Sequence, residues 1–266
     1  MKKKFILLGA MVVLVAACVI WIIWGNVTVG LNHITVTQSN LPAGFDGYRI
    51  AHVSDLHNSK LWKKTIEQIK TAAPDIICIT GDMVDSNDVH NALNFAAEAV
   101  KIAPCYYVPG NHERVLPTEV YTQFVDGLTA LGVTVLQDDA VRLIRGLDTI
   151  SLIGRAWCDM DYLAQLSDFD GYRLLLSHHP EFFADYVAGE YDLVLSGHAH
   201  GGQFRLPFIG GLFAPGQGFL PEYDSGLYTS GRTNMIVSRG IGNSSFPIRF
   251  NNRPEVVLIT LVRDEK

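Results

Sequence analysis

The sequence YRIAHVSDLH at residues 48–57 decides the fold, because an apolar run leads directly into an acid and a histidine. The same arrangement recurs in IICITGDMVD at residues 76–85. Short apolar runs rich in β-branched residues predict buried strands. Between the two runs, residues 61–73 carry apolar side chains at helical spacing and stop before Pro74, which predicts an amphipathic helix. This strand–helix–strand order indicates parallel β-α-β units.

The rest of the chain extends this pattern. Two further helices are predicted at residues 89–102 and 118–131. The second half is rich in short strands, so the pattern alone gives an α/β class with a mixed sheet. The remaining predicted strands are residues 27–37, 106–108, 133–136, 141–144, 149–154, 173–176, 193–195, 234–238 and 256–262.

Three more short blocks carry ligand-type residues: GNHE at 110–113, SHHP at 177–180 and GHAHGG at 197–202. In four of the five blocks the polar residues follow a predicted strand, and ligands at strand ends sit on rigid elements. Oxygen and imidazole donors without a thiolate suit divalent ions such as Mn²⁺, Fe²⁺ or Zn²⁺. The candidate metal ligands are Asp55, His57, Asp82, Asn111, His178, His198 and His200.

Each block by itself is a weak signal, because Asp-x-His or Gly-Asp-x-x-Asp also occurs in ordinary turns. Their joint occurrence carries the prediction. Asp55 and His57 are two residues apart, so both project to one side if the alternation of the strand persists. The remaining histidines of the exported part are interpreted as surface or packing residues: His33, His52, His90 and His179.

The order of the five blocks and the residues within them resemble those of the calcineurin-like metallophosphoesterase family. The closing HAHGGQ at residues 198–203 is similar to the bacterial membrane-anchored phosphodiesterase branch of that family. The resemblance covers about residues 34–261. It implies a four-layer α-β-β-α sandwich, in which two packed mixed β-sheets are flanked by helices and the metals sit at the strand ends. It also implies a metal-dependent phosphoric ester hydrolase.

The resemblance further implies two divalent ions. Asp55, His57, Asp82 and His200 would hold one ion, and Asp82, Asn111, His178 and His198 would hold the other. Asp82 would bridge them, because a carboxylate has two oxygens. Phosphoester hydrolysis needs a nucleophile and charge neutralisation, and a hydroxide bridging two metals would supply the nucleophile.

Four further residues receive candidate roles. The family role of His112 is protonation of the leaving oxygen or stabilisation of the phosphoryl group, so His112 is the candidate catalytic residue. Arg155 is a candidate contact for the substrate phosphate, with a surface ion pair as the alternative. Glu113 and Asp85 are candidates for orienting an imidazole.

The resemblance implies a phosphoester substrate. Phosphodiester or pyrophosphate bonds are favoured over monoesters, because no Arg or Lys cluster lies near the blocks to hold a dianion. An alternative is a pyrophosphatase that acts on a nucleotide-linked lipid of the UDP-diacylglucosamine type. A metal-stabilised, non-catalytic binding protein is the alternative of a different class. That class is expected to have lost a ligand or His112, and this chain has lost none.

The N-terminus is a separate segment. Three lysines at residues 1–4 precede an uncharged apolar run at residues 5–24, which is long enough to cross a bilayer as a helix. We therefore expect a cytoplasmic N-terminus, a single-pass signal anchor in the cell membrane, and a metallophosphoesterase domain at residues 25–266 on the extracytoplasmic side. A cleaved signal peptide and a lipoprotein with a lipidated Cys18 remain open alternatives.

The charge balance argues against nucleic acid as a partner. The chain has 266 residues, and without the three N-terminal lysines it carries 18 Lys and Arg against 27 Asp and Glu. A nucleic-acid-binding surface requires an excess of basic residues. A disulfide between Cys105 and Cys158 is compatible with export but is not determined by the sequence.

Residues 201–231 form a long segment that is rich in glycine and aromatic residues and shows no clear periodicity. A loop of this length is usually functional. Its large apolar side chains allow two interpretations: a small satellite core under the loop, or a groove or bilayer contact that presents lipid-like substrates. The apolar side chains concerned are Phe204, Phe208, Leu212, Phe213, Phe219 and Leu220.

Overall fold

The computed structural model describes residues 2–156, 171–243 and 246–264. The helices are α1 Lys2–Val27, α2 Trp62–Ala72, α3 His90–Ala99, α4 Asn111–Arg114, α5 Thr118–Ala130 and α6 Phe183–Ala188. The strands are β1 Gly30–Gln38, β2 Arg49–Val53, β3 Ile76–Thr80, β4 Cys105–Val108, β5 Thr134–Val135, β6 Asp139–Arg145, β7 Asp148–Arg155, β8 Tyr172–Ser177, β9 Leu193–Ser196, β10 Arg205–Leu206, β11 Gly210–Gly211, β12 Phe213–Ala214, β13 Gly218–Phe219, β14 Gly226–Ser230, β15 Thr233–Val237 and β16 Glu255–Arg263.

Two six-stranded sheets form the frame. The first has the strand order β1-β16-β2-β3-β4-β5, and β2 to β5 run parallel to one another. The second has the order β14-β15-β9-β8-β7-β6, and its four inner strands are parallel. Parallel strands end at the same edge of a sheet. The residues that follow β2, β3, β4, β8 and β9 are therefore brought to the carboxyl edges of the two sheets.

The two sheets pack face to face, and helices cover their outer faces. Apolar side chains of both sheets form one buried cluster, in which Ile50 and Ile259 of the first sheet meet Leu174 and Leu195 of the second. Helices α2, α3 and α5 pack on the other face of the first sheet. Helix α6 packs with Leu175 on the outer face of the second sheet. The predicted α/β fold with two mixed sheets flanked by helices is confirmed.

The prediction was wrong within residues 201–231. The structure forms two small antiparallel ribbons there, β10 with β11 and β12 with β13, followed by strand β14. The four ribbon strands have only two residues each. Strands this short cannot show an alternation of polar and apolar residues, so the sequence pattern does not reveal them.

Helix α1 is long and apolar enough to cross a membrane, as judged by its length and composition. Its side chains are almost all exposed until its last turns, where it meets the folded part of the chain. There the side-chain amide of Asn26 donates to the carbonyl of Arg249 and accepts from the backbone N–H of Arg249, both at 2.8 Å. The ring of Trp21 also contacts Phe250 edge to face at 5.6 Å.

The possible disulfide stays untested. Cys105 is buried, and its thiol donates to the carbonyl of Ala103 at 3.4 Å. Its proposed partner, Cys158, lies outside the described residues.

Candidate metal centre

All seven candidate ligands lie just beyond the carboxyl ends of strands, at the edge where the two sheets meet. Asp55 and His57 follow β2, and Asp82 follows β3. The other four follow strands β4, β8 and β9: Asn111, His178, His198 and His200. Asn111 is partly buried and the other six are buried. The structure therefore brings together every residue that the sequence assigned to the metals.

The backbone at this edge is left-handed at five of the seven positions. The φ angles are positive at Asp55 (53°), His57 (44°), Asp82 (50°), His198 (65°) and His200 (48°). Such residues cost about 1–3 kcal/mol each and cluster at functional sites. The assumption that the strand alternation continues through Asp55 and His57 was wrong, because β2 ends at residue 53.

The first group of donors consists of Asp55, His57 and His200. The Nε2 atoms of His57 and His200 lie 3.2 Å apart. The same Nε2 of His200 lies 3.5 Å from Oδ1 of Asp55, and that of His57 lies 3.9 Å from it. Their donor atoms thus converge on one point, as a metal ion would require.

The second group consists of Asp82, His178 and His198. Nε2 of His178 lies 3.1 Å from Oδ2 of Asp82 and 3.2 Å from Nδ1 of His198. Oδ2 of Asp82 is also 3.7 Å from Nε2 of His57, so this carboxylate lies between the two groups. Oδ1 of Asn111 is buried and has no hydrogen-bond partner among the described residues. A buried oxygen without a hydrogen-bond partner lowers the stability of the fold unless a ligand such as a metal ion binds it.

The protonation states show that this pocket attracts positive charge. Burial opposes a charge on His178, but the carboxylates of Asp82 and Asp55 outweigh it and raise the pKa of that imidazole to about 10. Burial likewise opposes ionisation of Asp82, yet His178 and His57 hold the pKa of that carboxyl below its usual range.

Two of the other three candidate ligand imidazoles, those of His198 and His200, behave differently. Burial and the neighbouring His178 lower the pKa of His198 to about 3, and burial and His57 lower the pKa of His200 well below its usual value. Neutral imidazoles are the form that binds metal. The donor types, the orphaned oxygen of Asn111 and this charge pattern fit divalent cations.

Glu113 holds the backbone of the centre, which differs from the imidazole-orienting role considered from the sequence. Its buried carboxylate accepts the N–H groups of Gly110 and Asp82 through Oε2 and of Met83 and Val84 through Oε1, at 2.6–3.0 Å. Burial, followed by the charge of Asp82, raises the pKa of Glu113 to about 7. The carboxylate therefore fixes the loops that carry Asp82 and Asn111.

Gly110 lies against Asp82 for a steric reason. A Cβ at this position would meet Oδ1 of Asp82 at 2.2 Å, closer than any side chain allows. The same Oδ1 accepts the backbone N–H of His112 at 2.9 Å. A glycine before Asn111 thus lets the loop after β4 approach the carboxylate of Asp82.

His112 lies at the mouth of the centre. Its ring packs edge to face on His57 at 4.7 Å, and its Nε2 is 4.0 Å from Oδ2 of Asp82. About 31% of its side chain is exposed, whereas the candidate ligand imidazoles are nearly inaccessible. Asp85 places Oδ2 3.5 Å from Nδ1 of His57, as expected of a carboxylate that orients a ligand ring.

Arg155 lies beside the centre but contacts aromatic residues. Its guanidinium stacks over Phe182 at 4.5 Å and donates to the hydroxyl of Tyr186 at 3.3 Å. That hydroxyl in turn donates to the carbonyl of His179. Arg155 is thereby linked to the segment that carries His178.

The sequence interpretation missed Glu181, Arg249 and Asn252 near the centre. His179 is a packing residue, which is one of the two interpretations made from the sequence: its ring packs on His198 at 4.5 Å, and its Nδ1 is 3.0 Å from Glu181. Arg249 is buried and lies 3.3 Å from Nδ1 of His200. Asn252 donates to the carbonyl of His200 at 2.6 Å. Glu181 lies near His179 in sequence, but nothing local marks the other two.

The glycine-rich segment exposes most of the apolar side chains considered above. Phe208 is fully exposed, Phe219 is 84% exposed and Leu220 is 65% exposed. Phe213, which is also exposed, stacks edge to face on Phe219 at 5.4 Å. These side chains do not form the satellite core that was one of the two interpretations.

A family model and related proteins assign this chain to the same family. The family model for calcineurin-like phosphoesterases matches residues 48–202. The uncharacterized metallophosphoesterase YkuE of Bacillus subtilis is 32% identical over an alignment 254 residues long, which covers 85% of this chain and 83% of YkuE. The phosphodiesterase YaeI of Escherichia coli is 31% identical over an alignment 228 residues long, which covers 81% of this chain and 82% of YaeI.

A solved structure supports the fold. The crystal structure of TT1561 of Thermus thermophilus superposes with a TM-score of 0.50 at 12% identity, covering 73% of this chain and 90% of that one. The matched residues 48–202 include all seven candidate ligands and His112. The chain therefore belongs to the calcineurin-like phosphoesterase family, whose members are metal-dependent hydrolases.

Proposed function

We propose that this chain is a dinuclear-metal-dependent phosphoesterase that hydrolyses phosphodiester or pyrophosphate bonds at a membrane surface. The observation that carries the proposal is the position of Asp82, whose Oδ2 lies 3.1 Å from Nε2 of His178 and 3.7 Å from Nε2 of His57. One carboxylate thus faces both donor groups. A carboxylate placed between two groups of donors is the arrangement that a two-metal centre for phosphoryl transfer would need.

The proposed ligand sets follow from the two groups. Asp55, His57, Asp82 and His200 would hold one ion, and Asp82, Asn111, His178 and His198 would hold the other. Mn²⁺, Fe²⁺ and Zn²⁺ suit these nitrogen and oxygen donors. When bound, such ions neutralise phosphoryl charge and lower the pKa of water.

His112 is the proposed general acid. Hydrolysis forms a bond between phosphorus and the oxygen of water and breaks the ester P–O bond, and the departing oxygen requires a proton. The partly exposed ring of His112 lies at the mouth of the centre, within 4.0 Å of Asp82. Nε2 of His112 is therefore both accessible to substrate and close enough to the donor groups to give that proton to the departing oxygen. Arg155 remains the proposed contact for a substrate phosphate from the side of His179.

A lipid-linked substrate is favoured by one observation, the exposed apolar ribbons. Phe208 and Phe219 project into solvent although each would gain roughly 1.5–3 kcal/mol by burial. A bilayer surface or an acyl chain would cover them. The nucleotide-linked lipid pyrophosphatase is thus the second candidate function, and a non-catalytic binding protein is disfavoured because the whole ligand set is present.

The full chain in detergent, reconstituted with Mn²⁺, is expected to hydrolyse an aryl phosphodiester faster than the matching aryl monoester, and a chelator is expected to abolish both activities. A lipid pyrophosphate measured beside them separates the two candidate functions. Elemental analysis provides a readout independent of turnover. Chelator-resistant activity in a protein without transition metal would refute the proposal.

The proposed domain arrangement places residues 1–4 in the cytoplasm, residues 5–24 in the membrane and residues 25–266 on the extracytoplasmic side. A reporter that is active only outside the cytoplasm, fused at the C-terminus, is expected to be active, and the protein should resist carbonate extraction. A soluble form that begins near Gly25 would indicate a signal peptide instead. Fatty-acid labelling of Cys18 would indicate a lipoprotein.

A further inference from the structure

A cavity of about 240 Å³ lies where the end of α1 meets the folded part of the chain. Its volume is roughly eight times the ~30 Å³ that one water molecule occupies in the liquid, which is ample for a phosphate group. The side chains that matter for its chemistry are Trp21 and Trp24 of α1 with Arg239, Arg249, Asn252 and Arg253 of the opposing segment. An aromatic wall therefore faces a basic wall.

The basic wall carries an excess of positive charge. Among the described residues, no carboxylate forms an ion pair with Arg249 or Arg253. Arg239 has one acidic neighbour, Glu255, at 3.8 Å, and its own Nε is buried without a hydrogen-bond partner in the described part of the chain. In the described part of the chain Glu255 is thus the one carboxylate in an ion pair with these three guanidinium groups, and the charge of the buried Asp55 also attracts Arg249. Such an excess beside a cavity favours an anionic ligand.

The contacts of the arginines show that they are held in place. Arg249 donates to the carbonyl of Arg239 at 2.6 Å and to Oδ1 of Asn243 at 3.0 Å. Arg253 stacks over Trp24 at 4.6 Å and donates to the hydroxyl of Thr28 at 2.8 Å. Held guanidinium groups lose little freedom on binding, and a planar fork matches the geometry of a phosphate. Because Arg249 also donates to the carbonyl of Gly242, most of its donors are engaged, so it contributes charge while Arg239 and Arg253 would supply the contacts to a phosphate.

The position of the cavity indicates the source of an anionic ligand. Trp21 and Trp24 are 44% and 49% exposed and lie in the last two turns of the apolar helix. Tryptophan is enriched at the level of lipid headgroups. If α1 spans the bilayer, the cavity opens at the height where lipid phosphates lie, and a membrane is thus the nearest source of the anion.

We propose that this cavity binds the phosphate of an anionic membrane phospholipid. The inference rests on α1 lying in the membrane, which is part of the proposed function, but it does not depend on catalysis. The occupant would lie close to the donor groups, because Arg249 lines the cavity and its Nη2 lies 3.3 Å from Nδ1 of His200. A bound headgroup would offset positive charge that otherwise faces the His200 side of the centre.

Short-chain phosphatidylglycerol titrated into the full chain in detergent tests the proposal, with tryptophan fluorescence as the readout because Trp21 and Trp24 line the cavity. Saturable binding is expected. The double variant Arg239→Gln/Arg253→Gln should weaken it by about tenfold or more, since hydrogen bonds to charged groups are lost. Arg263→Gln removes one exposed charge at the far end of β16 and should bind like the unaltered chain.

Two ligands on the unaltered chain make the test independent of how the variants fold. Diacylglycerol of the same chain length lacks the phosphate and should bind much more weakly. Inorganic phosphate lacks the chains and should neither saturate the signal nor compete at similar concentration. Equal binding of diacylglycerol, equal binding of free phosphate, or unchanged affinity in a folded double variant would each overturn the proposal. Carbonate extraction tests the anchor separately.

Discussion

Asp82→Asn is expected to abolish hydrolysis and to lower the metal content of the purified full chain, whereas Asp85→Asn should keep both ions and some activity. The amide keeps the size of the side chain but removes the charge that faces both donor groups. Asp85 reaches only the Nδ1 of His57, at 3.5 Å, and is partly exposed. Loss of a residue that hydrogen-bonds to a metal ligand typically lowers metal affinity or activity 10–100-fold, and loss of a bridging ligand should lower them further.

The measurements are metal stoichiometry by elemental analysis and initial rates on an aryl phosphodiester. Thermal unfolding of both variants controls for misfolding, which matters because Asp82 also accepts the N–H of His112. If Asp85→Asn lost metal and activity to the same extent as Asp82→Asn, the bridging role proposed for Asp82 would be wrong.

His112→Ala should retain both ions yet lose about 10²–10⁴-fold in turnover, the usual contribution of a positioned general acid. The loss should be greatest for alkyl esters, whose leaving oxygen needs a proton, and smallest for nitrophenyl esters. His33→Ala is the matched control, because His33 is exposed on β1 and belongs to none of the donor groups.

A series of leaving groups of increasing pKa separates the two roles of His112. The logarithm of the hydrolysis rate is plotted against the pKa of the leaving group. A steeper slope for His112→Ala than for the unaltered chain supports proton donation by His112. The same loss for every ester would assign His112 to stabilisation of the phosphoryl oxygens, and loss of an ion in His112→Ala would make it a structural residue of the centre.

The sequence predicted the strands that carry the centre within one or two residues. The run at 76–80 corresponds to β3 Ile76–Thr80, and the run at 193–195 to β9 Leu193–Ser196. These strands are buried on both faces, so their apolar character is continuous and easy to recognise. The polar residues that follow these runs were therefore assigned to the correct edge of each sheet.

The sequence could not predict contacts that join distant parts of the chain. Arg249 meets His200 across 49 residues, and Asn26 meets Arg249 across 223. Neither pair belongs to a local motif. Residues 201–231 were predicted as a loop, because strands of two residues leave no pattern in the sequence. The sequence also could not decide between a satellite core and an exposed apolar surface for Phe208, because large apolar side chains are usually buried.

The left-handed backbone at Asp55, His57, Asp82, His198 and His200 limits how this centre can diverge in evolution. Outside glycine, the side chains enriched in that conformation are Asp, Asn and His, and these five positions carry Asp or His. A longer carboxylate such as Glu would have to meet both a coordination requirement and an unfavourable backbone. Descendants of this chain should thus acquire new substrates through changes in the ribbons and the rim, while the ligand positions stay restricted to these three residue types.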